Sequence, residues 1–294
     1  MSNNDKIEVK IACDKRAVGE GAIWDYKYNR LLWIDCPGKL FIFTPNDGKN
    51  REIKLEKPIG SVVPYQQNSV IVVLKDGIYE LDLETEKLSL FCLPEKEINE
   101  NIYFNDGKCD SKGRLWVGTM DKNFIKGMGA LYLVYGNGES KKVLKDVTLS
   151  NGICWSPDEK KMYYQDSPLR TVSCFDYDIN KGEISNRKEI INFPEGIGNP
   201  DGNTIDENGM VWIAHFGGAC VSQWNPYTGE MLKKIDVPAY NVTSIAFGGD
   251  NLDDLYITTA SILPSGKEKL FLDAGKLFVC KPGVKGIKAN YFSK

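Results

Sequence analysis

FNDGKCDSKGRLWVGTM, residues 104–120, runs from an Asn/Asp/Gly segment through a polar turn into an apolar stretch of Leu, Trp, Val and Thr. The same order recurs along the chain. Its opening segment returns as GEGAIW (19–24), IGSVVP (59–64), SNGICW (150–155), PDGNTID (200–206) and NVTSIAF (241–247). An apolar run follows each, as in NRLLWID, NSVIVVL, KKMYYQD, GMVWIAH and DDLYITT. A third run then ends, in most copies, on an Asp/Asn/Gly turn, as in KLFIFTPNDGK and VSCFDYDINKGE. Aligned on the opening segment, the equivalent positions are Glu20, Gly60, Asn105, Asn151, Asp201 and Thr243, at steps of 40, 45, 46, 50 and 42 residues.

Short runs rich in Val, Ile, Tyr, Phe and Trp, punctuated by Gly, Asn, Asp and Pro, read as antiparallel strands joined by hairpins. Repeats of this length with three or four strands each are the signature of β-propeller blades. Six copies predict an all-β, six-bladed propeller, and residues 1–294 read as one domain, although a chain of 294 residues could hold two. The sixth copy supplies only three strands by about Cys280. The strand-like run Ile7–Ala12 (IEVKIA) is therefore expected to complete the last blade and close the ring, the rival being the tail from Gly286 to Phe292.

Composition excludes several classes. The 37 basic and 40 acidic residues are dispersed and the net charge is −3, so there is no basic stripe for nucleic acid or an anionic membrane. No stretch resembles a membrane span, and MSNNDKIEVK lacks the apolar core of a signal peptide, which points to a cytoplasmic protein. Eight cysteines without a CxxC pair read as buried thiols in that setting. No protein partner is evident.

The first strand of each propeller blade lines the central channel, so positions equivalent to Asn105 should ring one mouth. Glu20, Asn105, Asn151 and Asp201 would then converge there from four blades, with Gly60 and Thr243 completing the circle. Taken singly, NDG, SNG and PDG are turn sequences, because Asn and Asp bond nearby backbone and tolerate left-handed geometry. Four oxygen-bearing side chains in one register instead point to a site. Two converging carboxylates call for a counter-charge, which one divalent cation supplies: Ca²⁺, Mg²⁺ or Mn²⁺ for an all-oxygen shell, Zn²⁺ where carboxylates dominate.

A single histidine, His215, leaves no room for a histidine-rich metal centre or a dyad. The second strand of a blade returns to the same mouth, so His215, Asp166, Asp35 and Met120 are candidates for the pocket wall. Asp176, Asp178 and Asn180 imitate the start of an EF-hand loop, but Gly182 falls one place late and the segment reads as a hairpin turn. The sequon at Asn241 carries no weight without a secretory signal.

GEGAIW, FNDGKCDSKGRLWVGTM, LSNGICWSPDEKKMYYQDS, FDYDINKGEISNRK and PDGNTIDENGMVWIA together resemble the regucalcin (senescence marker protein)/gluconolactonase/luciferin-regenerating enzyme family, from about Gly19 to Gly286. That resemblance implies a six-bladed propeller with one divalent metal at the channel mouth and, in many members, hydrolysis of sugar-acid lactones. By motif, the metal ligands would be Glu20 of GEG, Asn151 of SNG and Asp201 of PDG. Asp201 would double as general base, and Asn105 of FNDG would approach the metal or hold the substrate. Many members carry Arg two places before the NDG asparagine, where this chain has Tyr103, one hydroxyl in place of a planar fork of donors. The expected substrate contacts are therefore Asn105, Tyr103, Asp166 and His215, around a small sugar lactone. The alternatives are a calcium-dependent propeller esterase or organophosphatase, and a metal-binding propeller without catalysis.

Overall fold

A computed structural model describes residues 7–94 and 99–294. It holds six four-stranded antiparallel sheets, one for each sequence repeat. Their innermost strands are Gly19–Asp25, Ile59–Gln66, Ile102–Cys109, Ser150–Trp155, Asn199–Ile205 and Asn241–Gly248, and neighbouring ones pack against each other around the axis, the sixth against the first. The propeller is therefore a closed ring. Among the described residues there is no α-helix, and no helix is long and apolar enough to cross a membrane.

Closure follows the expected route. Lys10–Cys13 pairs antiparallel with Leu277–Cys280 as the outer strand of blade six, with Lys10 opposite Val279 and Ile11 opposite Phe278. The paired segment begins three residues later than the run read from sequence. Because the first segment of the chain completes the last sheet, opening the ring requires breaking a strand pair and its side-chain packing.

The tail takes a different role. It crosses the far face: the Gly286 amide donates to Leu252 O at 2.8 Å, Asn290 Nδ2 to Cys109 O at 3.2 Å, the Phe292 amide to Pro64 O at 2.9 Å and the Ser293 amide to Gly113 O at 2.9 Å. Phe292 is buried, edge-on to Tyr65 and Phe91. Under the tail lies a mainly apolar cavity of about 130 Å³ walled by Trp24, Trp155, Tyr177 and Phe247, at the opposite end of the inner strands from the acidic residues.

Local sequence explains the hairpins. In DSKGRLW, Asp110 Oδ1 accepts the amides of Lys112 (3.0 Å) and Arg114 (3.1 Å), while Oδ2 accepts Trp116 Nε1 at 2.9 Å. DENGMVW repeats this: Asp206 Oδ1 accepts the amides of Asn208 and Met210, both at 2.9 Å, and Oδ2 accepts Trp212 Nε1 at 2.8 Å. Gly113 and Gly209 take φ of +77° and +79°, the left-handed position these turns require. Each Asp thus ties a tight turn to a fully buried indole. The Asp176–Gly182 segment is likewise a strand-to-strand turn, with Asp178 Oδ1 accepting the amides of Asn180 (3.0 Å) and Lys181 (3.1 Å). Five of the eight cysteines are buried, three are half-buried, and none is in a disulfide.

Candidate metal centre

Each innermost strand carries a β-bulge at the same height. Register shifts fall between Glu20 and Ile23, Ile59 and Ser61, Phe104 and Gly107, Asn151 and Ile153, Pro200 and Asn203, and Val242 and Ser244. A bulge sets two residues against one on the partner and re-aims a side chain. Six of them at one level turn a ring of strands into a ring of side chains. NDG, SNG and PDG are therefore strand segments and not turns: Gly107, Gly152 and Gly202 do not have left-handed φ. Their glycines permit close approach instead. A Cβ on Gly152 would stand 2.7 Å from Asp201 O, and one on Gly202 2.9 Å from Ser244 Cα.

Two ring positions serve the seams. A Cβ on Gly60 would lie 2.4 Å from Phe104 O and 2.8 Å from Asn105 O, so blade two can meet blade three only without a side chain there. Thr243 Oγ1 donates to Gly19 O at 2.6 Å, joining blade six to blade one.

The other four come together. Asn105 Nδ2 donates to Ser150 O at 2.8 Å and to Asn151 Oδ1 at 3.0 Å. Asn151 Nδ2 donates to Ser167 Oγ at 2.7 Å, and that hydroxyl donates to Pro200 O at 2.6 Å, one residue before Asp201. Asp201 and Glu20, from blades five and one, share a side-chain hydrogen bond. The Gly21 amide donates to Glu20 Oε2 at 2.6 Å.

Sequence reasoning passed over a third acid. Asp106 is buried beside Glu20 and Asp201; its Oδ1 accepts the Gly107 amide at 2.8 Å, and its Oδ2 has no partner. Lys108 offsets part of this charge and donates to Asn203 O. The signal was present, since FNDGK places Asp106 and Lys108 one strand repeat apart, but beside Asn105 the aspartate reads as turn chemistry. Burial pushes the Glu20 carboxyl up to about 8, with the Asp106 charge adding to the effect. Burial and the charges of Glu20 and Asp106 hold Asp201 well above the usual carboxylate range. Burial also raises Asp106. Cys36 feels the same acids, and burial with their charge keeps its thiol protonated.

Three carboxylates against one ammonium leave two negative charges when all are ionised, which is the charge a dication balances. Among the described residues no trio of His, Cys, Asp and Glu converges as ligands. A shell here therefore needs an amide oxygen, and Asn151 lies within the same hydrogen-bonded set as Asn105 and Ser167. The donor set fits a hard cation.

The remaining candidates divide. Tyr103 is half-buried and pairs with Met120, and Lys75 Nζ stands over its ring, 4.6 Å from the centroid. Lys75 was also missed, since its place at the end of a second strand appears only once blade two is folded. Asp166 accepts the amides of Thr148 (3.0 Å) and Leu149 (2.9 Å), and Asp35 accepts that of Val18 (2.8 Å). Both carboxylates pin the chain entering an inner strand. His215 is a correction. Its ring is fully buried, with Nε2 2.6 Å from Ser222 Oγ and Phe193 edge-on at 5.3 Å, so it belongs to packing and not to the pocket wall. Asn241 is buried and donates to Ile262 O at 2.6 Å, so its sequon is closed in the fold.

A family model described as the SMP-30/gluconolactonase/LRE-like region matches residues 18–261. A Bacillus subtilis (strain 168) protein named "Putative sugar lactone lactonase YvrE" is 38% identical over 265 residues, 90% of each chain. Regucalcin of Danio rerio is 35% identical over 260 residues, 86% of this chain and 88% of that one. A solved luciferin-regenerating enzyme superposes with a TM-score of 0.93 at 31% identity, covering 98% of this chain and all of the other.

Proposed function

The chain belongs to the SMP-30/gluconolactonase/LRE-like family, and from that premise we propose that it hydrolyses lactones at the acidic mouth of the channel, with one divalent cation held by Glu20, Asn151 and Asp201. One observation carries the reading: the Glu20 and Asp201 carboxyls, from blades one and five, share a hydrogen bond at the ring of bulges, with the charge of buried Asp106 acting on both and Lys108 as partial counter-charge. A scaffold without a bound cation gains nothing from burying like charges together.

An all-oxygen donor set favours Ca²⁺, with Mg²⁺, Mn²⁺ and Zn²⁺ as competitors. When bound, the cation supplies polarisation of the ester carbonyl and stabilisation of the developing oxyanion. The protein supplies the rest. Asp201 takes the proton of the attacking water, the water oxygen bonds to the carbonyl carbon, and the ring C–O bond breaks. Asp201 then returns the proton to the departing alkoxide, giving the hydroxy acid. A carboxylate is a weak base beside a cation, which suits an activated ester better than an amide. Asn105 orients the substrate, and the Tyr103 hydroxyl and Lys75 ammonium offer donors at the entrance in place of an arginine fork.

The test is hydrolysis of a lactone panel, beginning with aldonolactones, by metal-stripped protein given Ca²⁺, Mg²⁺, Mn²⁺ or Zn²⁺ in turn, beside Asp201→Asn. Metal-dependent turnover that is lost in Asp201→Asn supports the reading. Turnover of aryl esters or an organophosphate alone moves the site to the esterase class, which the absence of arginine at Tyr103 favours as second reading.

A further inference from the structure

Within that lactonase reading, on which this rests, we infer that the preferred substrate is a lactone whose ring carries an apolar substituent, received by an apolar half-rim on blades three to six. The inner strand of each blade runs away from the acidic mouth and the second returns, so every second-to-third connection borders that mouth. In blades one and two these are short turns, residues 36–38 and 75–76. In blades three and six they are long, residues 122–128 and 261–276.

The two halves differ in chemistry. Toward the inner strands, blades one and two present polar groups, with Lys57 Nζ on Asp76 Oδ2 at 2.6 Å and Lys75 against Tyr103, while the exposed Leu90 and Leu93 lie on the outer-strand side of the blade-two turn. Blades three to six, two of them with connections of only residues 167–170 and 217–219, expose large apolar side chains among the lysines of the two long loops: Phe124 at 57%, Ile125 at 53%, Leu169 at 41%, Phe216 at 39%, Leu270 at 69% and Leu272 at 68%. Isolated exposed hydrophobes are ordinary, but a set gathered around one opening marks a binding surface.

This half-rim is continuous with the candidate metal centre. Leu169 ends the single 3₁₀ turn Ser167–Leu169, whose Ser167 hydroxyl holds Asn151 and Pro200. Phe216 pairs with Asn199, two residues before Asp201. The blade-six loop is anchored by Arg16, which donates to Leu272 O and, at 3.1 Å, to Ala274 O. A polyhydroxylated ring would leave these side chains in water. An alkyl or aryl group on the ring would cover them while the ester stays over the acids.

The experiment compares γ-lactones with substituents from methyl to hexyl, and glucono-δ-lactone, using the full chain with its supporting cation. Alongside, binding of the matching γ-lactams, which resist hydrolysis, is followed by calorimetry. We expect kcat/KM and lactam affinity to rise about twofold or more per methylene, since full burial of one is worth about fourfold. The double variant Phe124→Ser/Ile125→Ser should flatten that slope; Leu169→Ser supplies an independent check should the double variant misfold. A flat slope in the unmodified protein, or a slope the variants do not alter, overturns the inference even if lactones are hydrolysed. No turnover combined with chain-length-dependent lactam binding that the variants abolish would support the apolar rim and reject the lactonase reading. Binding to phosphatidylcholine vesicles, or self-association, with a flat slope assigns the patch to another occupant and also overturns it.

Discussion

Asn105 Nδ2 reaches Asn151 Oδ1 at 3.0 Å across the seam between blades three and four, 46 residues apart in sequence and one repeat apart in structure. Two amides that each look like turn formers are thereby joined into one element of the site. Asn151 is further held by Ser167. Asn151→Ala should weaken Ca²⁺ binding and lower kcat/KM by at least about 100-fold, on the scale of losing a ligand or its outer partner. Ser167→Ala should produce a smaller loss of about tenfold in metal affinity with the fold intact, measured by calcium titration.

The raised acids set a pH dependence for metal-stripped protein. Glu20 titrates at about 8 in the fold against 4.5 in the unfolded chain, so the fold binds the extra proton between those values. The stability this contributes is complete below pH 4.5 and is lost as pH rises through 8. Melting temperature in chelator should therefore fall across that window, and added Ca²⁺ should restore more at pH 8 than at pH 5. A melting curve independent of pH in chelator would remove the buried acid cluster.

His215 behaves oppositely. Burial lowers its imidazole to about 3 from 6.5, so the unfolded chain takes up the proton first. Its stabilisation is present above pH 6.5 and is lost as pH falls toward 3. His215→Gln should shrink that acid-side loss and lower the melting temperature while changing kcat/KM by no more than about twofold. A large rise in KM alone would return His215 to the substrate pocket.

Asp206 collects four donors: the amides of Asn208 and Met210, Trp212 Nε1 and, at 2.7 Å, Gln223 Nε2. Asp206→Ala leaves the indole and the amide side chain buried without an acceptor and should cost about 3–5 kcal/mol. The readout is a lower urea midpoint with an unchanged slope.

Phe292→Ala tests the tail, which was the rival for closure and instead covers the far face. Removing this buried ring should cost about 3–5 kcal/mol while leaving metal affinity unchanged. A loss of metal affinity would couple the far cavity to the mouth.

The blades were legible because strand alternation and hairpin chemistry are local and recur six times. The same locality leaves NDG, SNG and PDG ambiguous when each is taken singly. Their composition is that of turns, yet they lie in bulged strands, and the glycines of SNG and PDG admit the neighbouring blade. The equivalence of Glu20, Asn105, Asn151 and Asp201 could be read from spacing, because ring symmetry converts register into proximity. Lys75 could not, and Asp106, although it stands near Lys108 in FNDGK, gains its importance only from the acids that face it across the channel.

By itself the sequence determined the number of blades and the ring of four oxygen-bearing side chains, both of which follow from periodic local patterns, and left the closing strand between the N-terminal run and the tail. Only the tertiary structure decided that Gly60 and Thr243 build seams, that His215 is packed away, that Asp166 clamps backbone, and that Asp106 joins Glu20 and Asp201. Those assignments depend on burial and on contacts between distant blades, where a charge or a methyl group acquires its energy from neighbours that no local stretch of chain contains.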